Sequence, residues 1–333
     1  MESVALHQAG ILAEAEAAYQ FLLEYNPDDS DELHYLGLIA FQKRLYPDAA
    51  NLIEAAIRIN RSVPVFHFNL GNTYKALMQF DSAIDAYLES IRLDPQFLGR
   101  AQHQIASISG NNTERAPAQY VETLFDGHAD KFDAHLQQVL KYDAPEKLVA
   151  LVTQYSTPPV EKWNILDLGC GTGLVGLAIA PFARQLVGVD LSAKMLGKAH
   201  ARKLYQRLER LDLLAMMRGE KASSYDAIFA ADVFTYLGKL DGVISEIKRL
   251  LCLGGFFAFS IETLEVLPDE EANQSVQRNY QLEITGRYSH SLNYINWLAS
   301  TNGFLIQEMA AVQIRMERGT PVNGCLILLK SCV

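Results

Sequence analysis

A run of apolar residues that leads into three alternating glycines restricts the fold of this chain more than any other feature. Residues 165–173 read Ile-Leu-Asp-Leu-Gly-Cys-Gly-Thr-Gly, and a second apolar run, residues 186–190, ends in Asp190. This pattern predicts a buried strand, a tight turn and a helix, followed by a neighbouring strand. Because glycine has no Cβ, a ligand could approach the turn closely. Asp190 would lie at a strand tip, where it can accept hydrogen bonds from ribose hydroxyls.

The spacing of the glycines separates this motif from the dinucleotide-binding fingerprint. The order here is Asp-x-Gly-x-Gly-x-Gly, whereas a dinucleotide pyrophosphate is held by Gly-x-Gly-x-x-Gly. Together with Asp190, the segment resembles motif I of the class I S-adenosylmethionine (SAM) methyltransferases. The resemblance implies an α/β fold with a Rossmann-like seven-stranded sheet in the order 3-2-1-4-5-7-6. It also implies SAM as the cofactor and S-adenosylhomocysteine as its product.

The C-terminal part alternates between strand and helix patterns, as doubly wound α/β folds do. Predicted strands cover residues 164–169, 185–190, 207–211, 225–231, 255–261, 304–316 and 323–330. Predicted helices cover residues 173–182, 193–205, 239–252 and 290–302. Ligands of such sheets bind outside the carboxyl ends of the strands. Four acidic residues would lie along that rim: Asp167, Asp190, Asp212 and Asp232.

The resemblance assigns cofactor contacts residue by residue. Asp167 would meet the methionine amino group, directly or through water. Asp190 would meet the ribose hydroxyls and Asp212 the adenine amino group. An alternative for Asp212 is that it only caps the next helix. The predicted cofactor-binding residues are Asp167, Gly169, Cys170, Gly171, Gly173, Asp190, Leu191, Met195, Asp212, Leu213 and Tyr142.

The segment after the fourth predicted strand is expected to face the transferred methyl group. Methyl transfer from a sulfonium is an in-line displacement, so the enzyme mainly aligns the reactants and excludes water. A general base would help an acceptor that loses a proton; the candidates are Asp232, Tyr236, Glu262 and His290. An alternative for His290 is a helix contact without chemistry. In the last predicted hairpin, Arg315 and Glu317 are expected to be solvated charges.

The N-terminal third of the chain repeats itself at an offset of 34 residues. Small residues align in three units (Ala15, Ala49, Ala83), and large residues follow each of them (Tyr19, Ile53, Tyr87). Small residues would let two antiparallel helices approach closely. The pattern resembles tetratricopeptide repeats (TPR), with units at about 1–29, 30–63 and 64–97 and a capping helix at 98–108.

These patterns predict a TPR helical-repeat domain (1–108), a linker (109–119) and a methyltransferase domain (120–333) that begins with a lid helix (120–145). The predicted function is SAM-dependent methyl transfer to an unidentified acceptor. The TPR groove would recruit a protein partner or the substrate; alternatively, the repeats pair two copies of the chain or shield the enzyme. Two other hypotheses are a SAM-binding scaffold without catalysis and an aminopropyl transferase that uses decarboxylated SAM.

Composition narrows the set of partners. The net charge is −10, of which −7 falls in residues 1–116, and this disfavours nucleic acid. No apolar stretch approaches the ~20 residues of a membrane span, and the N-terminus lacks a signal-peptide pattern. The four cysteines are isolated, without metal-binding spacing. The expectation is a cytoplasmic protein without a metal, a nucleic-acid partner or a membrane partner.

Overall fold

The computed structural model of the chain describes residues 2–129, 132–134, 143–156, 162–264, 278–317 and 320–332. The chain divides into two compact units, residues 1–111 and 112–333. Tyr142, one of the predicted cofactor contacts, lies outside the described residues. Within the described part, no helix combines the length and the apolar character that a membrane crossing requires.

The N-terminal unit is built from helices. They are α1 (Glu2–Ala9), α2 (Leu12–Tyr25), α3 (Ser30–Gln42), α4 (Tyr46–Ile59), α5 (Pro64–Ala76), α6 (Phe80–Leu93) and α7 (Leu98–Ser109). A Cβ on Gly37 of α3 would lie 2.6 Å from Ile53 Cγ1 of α4. A Cβ on Gly71 of α5 would lie 2.7 Å from the ring of Tyr87 in α6. The 34-residue offset therefore places a glycine against a large side chain in consecutive helix pairs, which confirms the predicted repeat packing.

The C-terminal unit is an α/β sheet covered by helices. Its strands are β1 (Trp163–Leu168), β2 (Ala183–Asp190), β3 (Arg207–Arg210), β4 (Tyr225–Ala230), β5 (Leu251–Thr263), β6 (Tyr280–Leu282), β7 (Tyr288–His290), β8 (Phe304–Glu317) and β9 (Thr320–Ser331). Its helices are α8 (Ala118–His128), α9 (Phe132–Ala134), α10 (Ala144–Tyr155), α11 (Leu174–Ile179), α12 (Ala193–Ala201), α13 (Leu213–Gly219), α14 (Asp241–Leu250) and α15 (Leu292–Thr301).

Alternate residues of the central strands are buried on opposite faces of the sheet. Leu166 and Val187 belong to an apolar cluster that includes residues of α13, α14 and α15. Ile165 and Leu186 belong to a second cluster, which includes residues of α10 and α11. Because both faces are covered, the strands read as continuous apolar runs, as parallel strands do.

The strand order matches the predicted topology and adds to it. The parallel strands follow the order β3-β2-β1-β4-β5, and β9 pairs antiparallel with β5 and β8. Since β8 and β9 correspond to the sixth and seventh predicted strands, the order 3-2-1-4-5-7-6 is confirmed for the predicted seven. The described residues form nine strands, however, because β6 and β7 lie in a segment for which no strand was predicted.

The extra hairpin of β6 and β7 extends the sheet on the side of β5 that also pairs with β4. Glu262 of β5 pairs with Ser289 of β7 and also with Gly324 of β9, so the two partners occupy opposite edges of β5. On the edge that β7 uses, β4 reaches only as far as Ala230. The hairpin therefore lies beyond the carboxyl end of β4, next to the rim where Asp232 follows that strand.

Residues 112–117, which fall in the predicted linker, are hydrogen-bonded within the C-terminal unit. The backbone oxygen of Glu114 accepts from the N–H groups of Gly238 and Lys239, both at 2.9 Å, and Ala116 N–H donates to Tyr236 O at 2.9 Å. The next segment is not one lid helix over residues 120–145. It comprises α8, the single turn α9 and the start of α10, with residues 130, 131 and 135–142 outside the described part.

Candidate active site

A cleft opens at the carboxyl ends of the central strands and encloses about 1110 Å³, including space open to solvent. Nine predicted site residues line it: Gly169, Cys170, Gly171, Asp190, Leu191, Asp212, Leu213, Asp232 and Tyr236. Four other predicted residues do not line it: Asp167, Gly173, Met195 and His290. The residues after β1, β2, β3 and β4 therefore meet at one cleft, as ligand sites of open α/β sheets do.

The glycine loop between β1 and α11 is fixed by its backbone. Cys170 N–H donates to Val189 O at 3.0 Å, and Gly173 N–H donates to Cys170 O at 2.8 Å. Gly169, Gly171 and Gly173 have φ values of 61°, 53° and 89°, in the left-handed region that favours glycine. The loop is therefore a rigid turn whose conformation depends on glycine.

The three glycines make room for different neighbours. A Cβ on Gly169 would lie 2.6 Å from Val233 Cγ2, and one on Gly173 would lie 3.0 Å from Tyr205 Cε2. A Cβ on Gly171 would have no neighbour closer than the backbone oxygen of Gly169 at 4.0 Å. Only Gly171 thus leaves open space in the cleft for a ligand, whereas Gly169 and Gly173 accommodate protein side chains.

Asp190 ends β2, and its carboxylate connects two backbone donors. Oδ2 accepts from Gly171 N–H at 2.9 Å, and Oδ1 accepts from Ser192 N–H at 2.8 Å. Burial raises the pKa of Asp190, and these backbone hydrogen bonds oppose the rise. A carboxylate has about four acceptor positions, so ligand hydroxyls in the cleft can still donate to it. This geometry fits the predicted ribose contact.

Asp212 caps a helix, as the alternative above states. Its Oδ1 accepts from Leu214 N–H at 3.0 Å and from Ala215 N–H at 3.3 Å at the start of α13. Its Oδ2 is ion-paired with Arg115, from the segment before α8. The carboxylate therefore orders one edge of the cleft, beside Leu213, and its contact with adenine stays a prediction.

Asp167 lies behind the glycine loop and is only 1% exposed. Its Oδ2 accepts from the hydroxyl of Tyr205 at 2.6 Å, whereas its buried Oδ1 has no hydrogen-bond partner among the described residues. Burial raises the pKa of Asp167 to about 7; the Tyr205 hydrogen bond lowers it and the nearby Asp190 raises it. A buried acceptor without a donor is costly, and a ligand ammonium would supply the donor. Tyr205 was not singled out from sequence, because it lies between α12 and β3 outside any motif.

Met195 and His290 are placed away from the cleft surface. Met195 is fully buried in the first turn of α12, where its N–H donates to Ser192 Oγ at 3.1 Å. His290 is fully buried with Nε2 3.0 Å from Gly238 O, and burial lowers its pKa to about 4. A neutral, enclosed imidazole beside the start of α15 agrees with the alternative of a structural contact. The geometry gives no support to His290 as a base.

Asp232 follows β4 in a conformation that is rare for a residue with a side chain. Its φ is 57°, a strained value that persists only where the surroundings hold it. Its N–H donates to Ser260 Oγ at 2.8 Å, and its Oδ1 accepts from Arg315 at 3.2 Å. Side chains of β5 and β8 thus fix the backbone and the carboxylate of Asp232.

The prediction that Arg315 and Glu317 are solvated is wrong. Arg315 is 2% exposed and ion-paired with Asp232, Glu262 and Glu317. Glu317 is paired in turn with Arg287, near the extra hairpin. Strand β8 carries Arg315 into the sheet, where three carboxylates compensate its charge, as a buried ion requires. These five residues are called the buried ion network below.

Tyr236 closes the cleft near Asp232. Its ring packs edge to face against Phe125 of α8, with ring centroids 5.4 Å apart and planes at 74°. Burial raises the pKa of Tyr236, whereas Arg287 beside the phenol opposes the rise. A molecule bound at this end of the cleft would meet a carboxylate, a phenol and an aromatic wall.

Acidic residues fasten α8 and α9 over the cleft. Asp126 accepts from Ser192 Oγ and, at 3.4 Å, from Lys194 N–H. Asp133 is paired with Arg202 and accepts from the hydroxyl of Thr172. The sequence gives no sign of these contacts, because each partner lies beyond β1. They hold Phe125 and Phe132 against the cleft.

Comparisons with known families match both units. Residues 166–257 match the methyltransferase domain family, and residues 64–97 match the tetratricopeptide repeat family. The first match extends from β1 into β5 and so includes the glycine loop, Asp190 and Asp232. The second match covers α5 and α6.

Curated relatives share the same part of the C-terminal unit. Methyltransferase-like protein 27 of Homo sapiens is 38% identical over 106 residues, which are 32% of this chain and 43% of that protein. The ubiquinone biosynthesis O-methyltransferase of Agrobacterium fabrum is 30% identical over 106 residues, which are 31% of this chain and 42% of that protein. The chain thus spans less than half the length of these two relatives.

Solved structures confirm the fold. The crystal structure of the (4+2)-cyclase SpnF superposes with a TM-score of 0.50 at 17% identity, and it covers 67% of this chain and 100% of that one. At this identity the likeness concerns the fold alone. The chain therefore combines a methyltransferase-family domain in its C-terminal unit with a tetratricopeptide repeat in its N-terminal unit.

Proposed function

We propose that the chain is a SAM-dependent methyltransferase that acts on an unidentified acceptor. The observation that carries the proposal is the single cleft that joins the open cradle at Gly171 and the carboxylate of Asp190 to Asp232 and Tyr236. The family match and the names of the two curated relatives support it. One cleft would thus hold the cofactor and present it to an acceptor.

The residues around the glycine loop fit SAM. Asp190 would accept the ribose hydroxyls, while Leu191 and Leu213 would enclose the adenine ring. The amino-acid end would pass Gly171, where no side chain intervenes, and its ammonium would reach Asp167, which lies behind the loop, directly or through water. When bound, SAM supplies an electrophilic methyl group on its sulfonium.

At the other end of the cleft, the chain would orient the acceptor and take up its proton. Asp232 is the only member of the buried ion network that lines the cleft, so it is the member that would accept a proton there. Tyr236 would position the acceptor through its hydroxyl. Phe125 and Phe132 would exclude water from the reacting atoms.

The N-terminal unit is assigned to recruitment of a protein partner or of the substrate. Stacked helix pairs present an extended concave surface, which is how repeat proteins bind their partners. The proposed organisation is the one that the sequence predicts: repeats at 1–108, a connection at 109–119 and a catalytic part from 120 onward. We place the protein in the cytoplasm, with pairing of two copies through the repeats as the alternative role of this unit.

Calorimetric titration of the full chain with SAM and S-adenosylhomocysteine tests the proposal. We expect micromolar affinity for both. Absence of binding by folded protein would refute it. Labelled methyl transfer into fractionated small molecules and proteins then tests catalysis, with Asp232→Asn as the inactive control. Binding without transfer would favour the alternative of a SAM-binding scaffold without catalysis.

A further inference from the structure

Tyr205 occupies a slot behind the glycine loop that glycines from three elements leave open. A Cβ on Gly173 would lie 3.0 Å from Tyr205 Cε2, and one on Gly188 of β2 would lie 2.9 Å from Cε1. A Cβ on Gly176 of α11 would collide with the hydroxyl of Tyr205. The loop, the helix and the strand are thus all shaped around one aromatic ring. No motif of the predicted cofactor site requires that ring.

The hydroxyl of Tyr205 has a fixed orientation. It donates a hydrogen bond to Asp167 Oδ2 at 2.6 Å. Its proton is therefore directed at Asp167. One carboxylate oxygen is occupied, and the other, Oδ1, is buried without a hydrogen-bond partner among the described residues.

We propose that Tyr205 is a positioning residue for the amino-acid end of the cofactor: it fixes Asp167 so that Oδ1 is left to accept from the cofactor's ammonium, directly or through water. The inference rests on the proposed function. Tyr205 itself does not touch the ligand. It acts by occupying Oδ2, which leaves one direction for a charged donor to approach the carboxylate.

The same hydrogen bond keeps Asp167 ionisable near neutral pH. Burial raises the pKa of Asp167 to about 7, the Tyr205 hydroxyl lowers it and Asp190 raises it. The third neighbour of Asp167 is the thiol of Cys170. Burial raises the pKa of this thiol well above its ordinary value, so the thiol is neutral. A proton on Asp167 competes with the ammonium, so SAM affinity falls as the pH drops through about 7. Without the Tyr205 hydroxyl, that fall occurs at higher pH.

The test is Tyr205→Phe in the full chain, titrated by calorimetry between pH 6 and 9 with three ligands. SAM and S-adenosylhomocysteine carry the ammonium, whereas 5′-methylthioadenosine keeps the adenosine and lacks the amino acid. At pH 7 we expect the variant to bind the first two about tenfold more weakly. Binding of 5′-methylthioadenosine should be unchanged, because its ribose meets Asp190 in both proteins. A general disturbance of the loop would weaken all three ligands alike and would overturn the proposal.

Tyr225→Phe is the matched control. It removes a hydroxyl that donates to Glu220 Oε2 at 2.7 Å in the same unit, away from the cleft. Its affinities should equal those of the unchanged chain. Incorporation of 3-fluorotyrosine at position 205 keeps the ring and makes the hydroxyl a stronger donor. It should lower the pKa of Asp167 and tighten SAM binding at pH 6.5.

A carboxyl-carbon NMR titration of ligand-free protein separates the two possible failures. The Asp167 midpoint should move up in Tyr205→Phe and down with 3-fluorotyrosine. If the unchanged chain binds SAM but the variants leave its affinity and the midpoint unaltered, the role of Tyr205 is refuted and the proposed function survives. If the unchanged chain binds neither SAM nor S-adenosylhomocysteine, the proposed function fails and the positioning role fails with it.

Discussion

The two ends of the cleft are built in different ways. The end with the glycine loop comes from one continuous stretch, residues 165–190, and its main contacts are backbone hydrogen bonds. The end with Asp232 is assembled by the buried ion network, whose members come from distant segments: Asp232, Glu262, Arg287, Arg315 and Glu317. The proposed cofactor end is thus encoded largely in one stretch, whereas the proposed acceptor end depends on the finished sheet.

The difference has an energetic side. A backbone turn of glycines needs no compensation for charge, and its cost is mainly conformational entropy. The buried ion network must satisfy every charge that it removes from water, so the loss of one member leaves the others uncompensated. Substitutions at the glycine loop should therefore mainly lower ligand affinity, whereas substitutions in the buried ion network should mainly lower stability.

The largest expected effect is on stability, from Arg315→Met. This change leaves three carboxylates without their common partner, which should cost about 3–5 kcal/mol in the free energy of unfolding. Both tryptophans, Trp163 and Trp297, lie in the C-terminal unit, so urea unfolding followed by their fluorescence reports that unit alone. Lys147→Met, which removes a half-exposed pair with Asp143, is the control and should change little. A loss of stability below about 1 kcal/mol for Arg315→Met would contradict the expected difference between the two ends of the cleft.

Next in size is the effect of Asp190→Ala on ligand affinity. Loss of the charged acceptor should weaken SAM binding by about 1–3 kcal/mol, measured by calorimetry. Asp226→Ala is the matched control, because its carboxylate also accepts a backbone hydrogen bond, from Asn164 N–H at 2.8 Å, at the opposite end of the sheet. Equal affinity of a folded Asp190→Ala protein and the unchanged chain would remove Asp190 from the site.

The smallest expected effect comes from Gly171→Ala, which places a methyl group in the open cradle. Because φ is 53° at this position, the substitution should cost about 1 kcal/mol of stability, and the methyl should also weaken SAM binding several-fold. Gly110→Ala is its control, with φ at 67° and no atom within 4 Å of the added Cβ. It should carry the same strain without any change in affinity. Equal affinities for the two variants would show that the cofactor does not pass Gly171.

Sequence reasoning succeeded where a short stretch encodes the structure. The 34-residue repeat follows from periodicity, whereas the strand order and the cofactor-binding residues were implied by the resemblance to class I methyltransferases. The predicted seven strands have that order, and nine of the predicted site residues line the cleft. The sequence did not show that His290 and Met195 are buried away from the cleft surface, because burial of a side chain depends on what packs against its element. The extra strands β6 and β7 were missed, since three-residue strands leave no periodic signal.

The sequence by itself determined the helical-repeat architecture, the α/β-sheet architecture, the glycine loop and the acidic strand ends. These features depend on backbone conformation and on near neighbours. Only the tertiary structure decided that Arg315 is buried, since its partners Asp232 and Glu262 lie 83 and 53 residues away. It also decided that Tyr205 fixes Asp167 across 38 residues. A charge or a hydroxyl is tolerated inside a protein only where partners converge on it, and that convergence exists only once the sheet has formed.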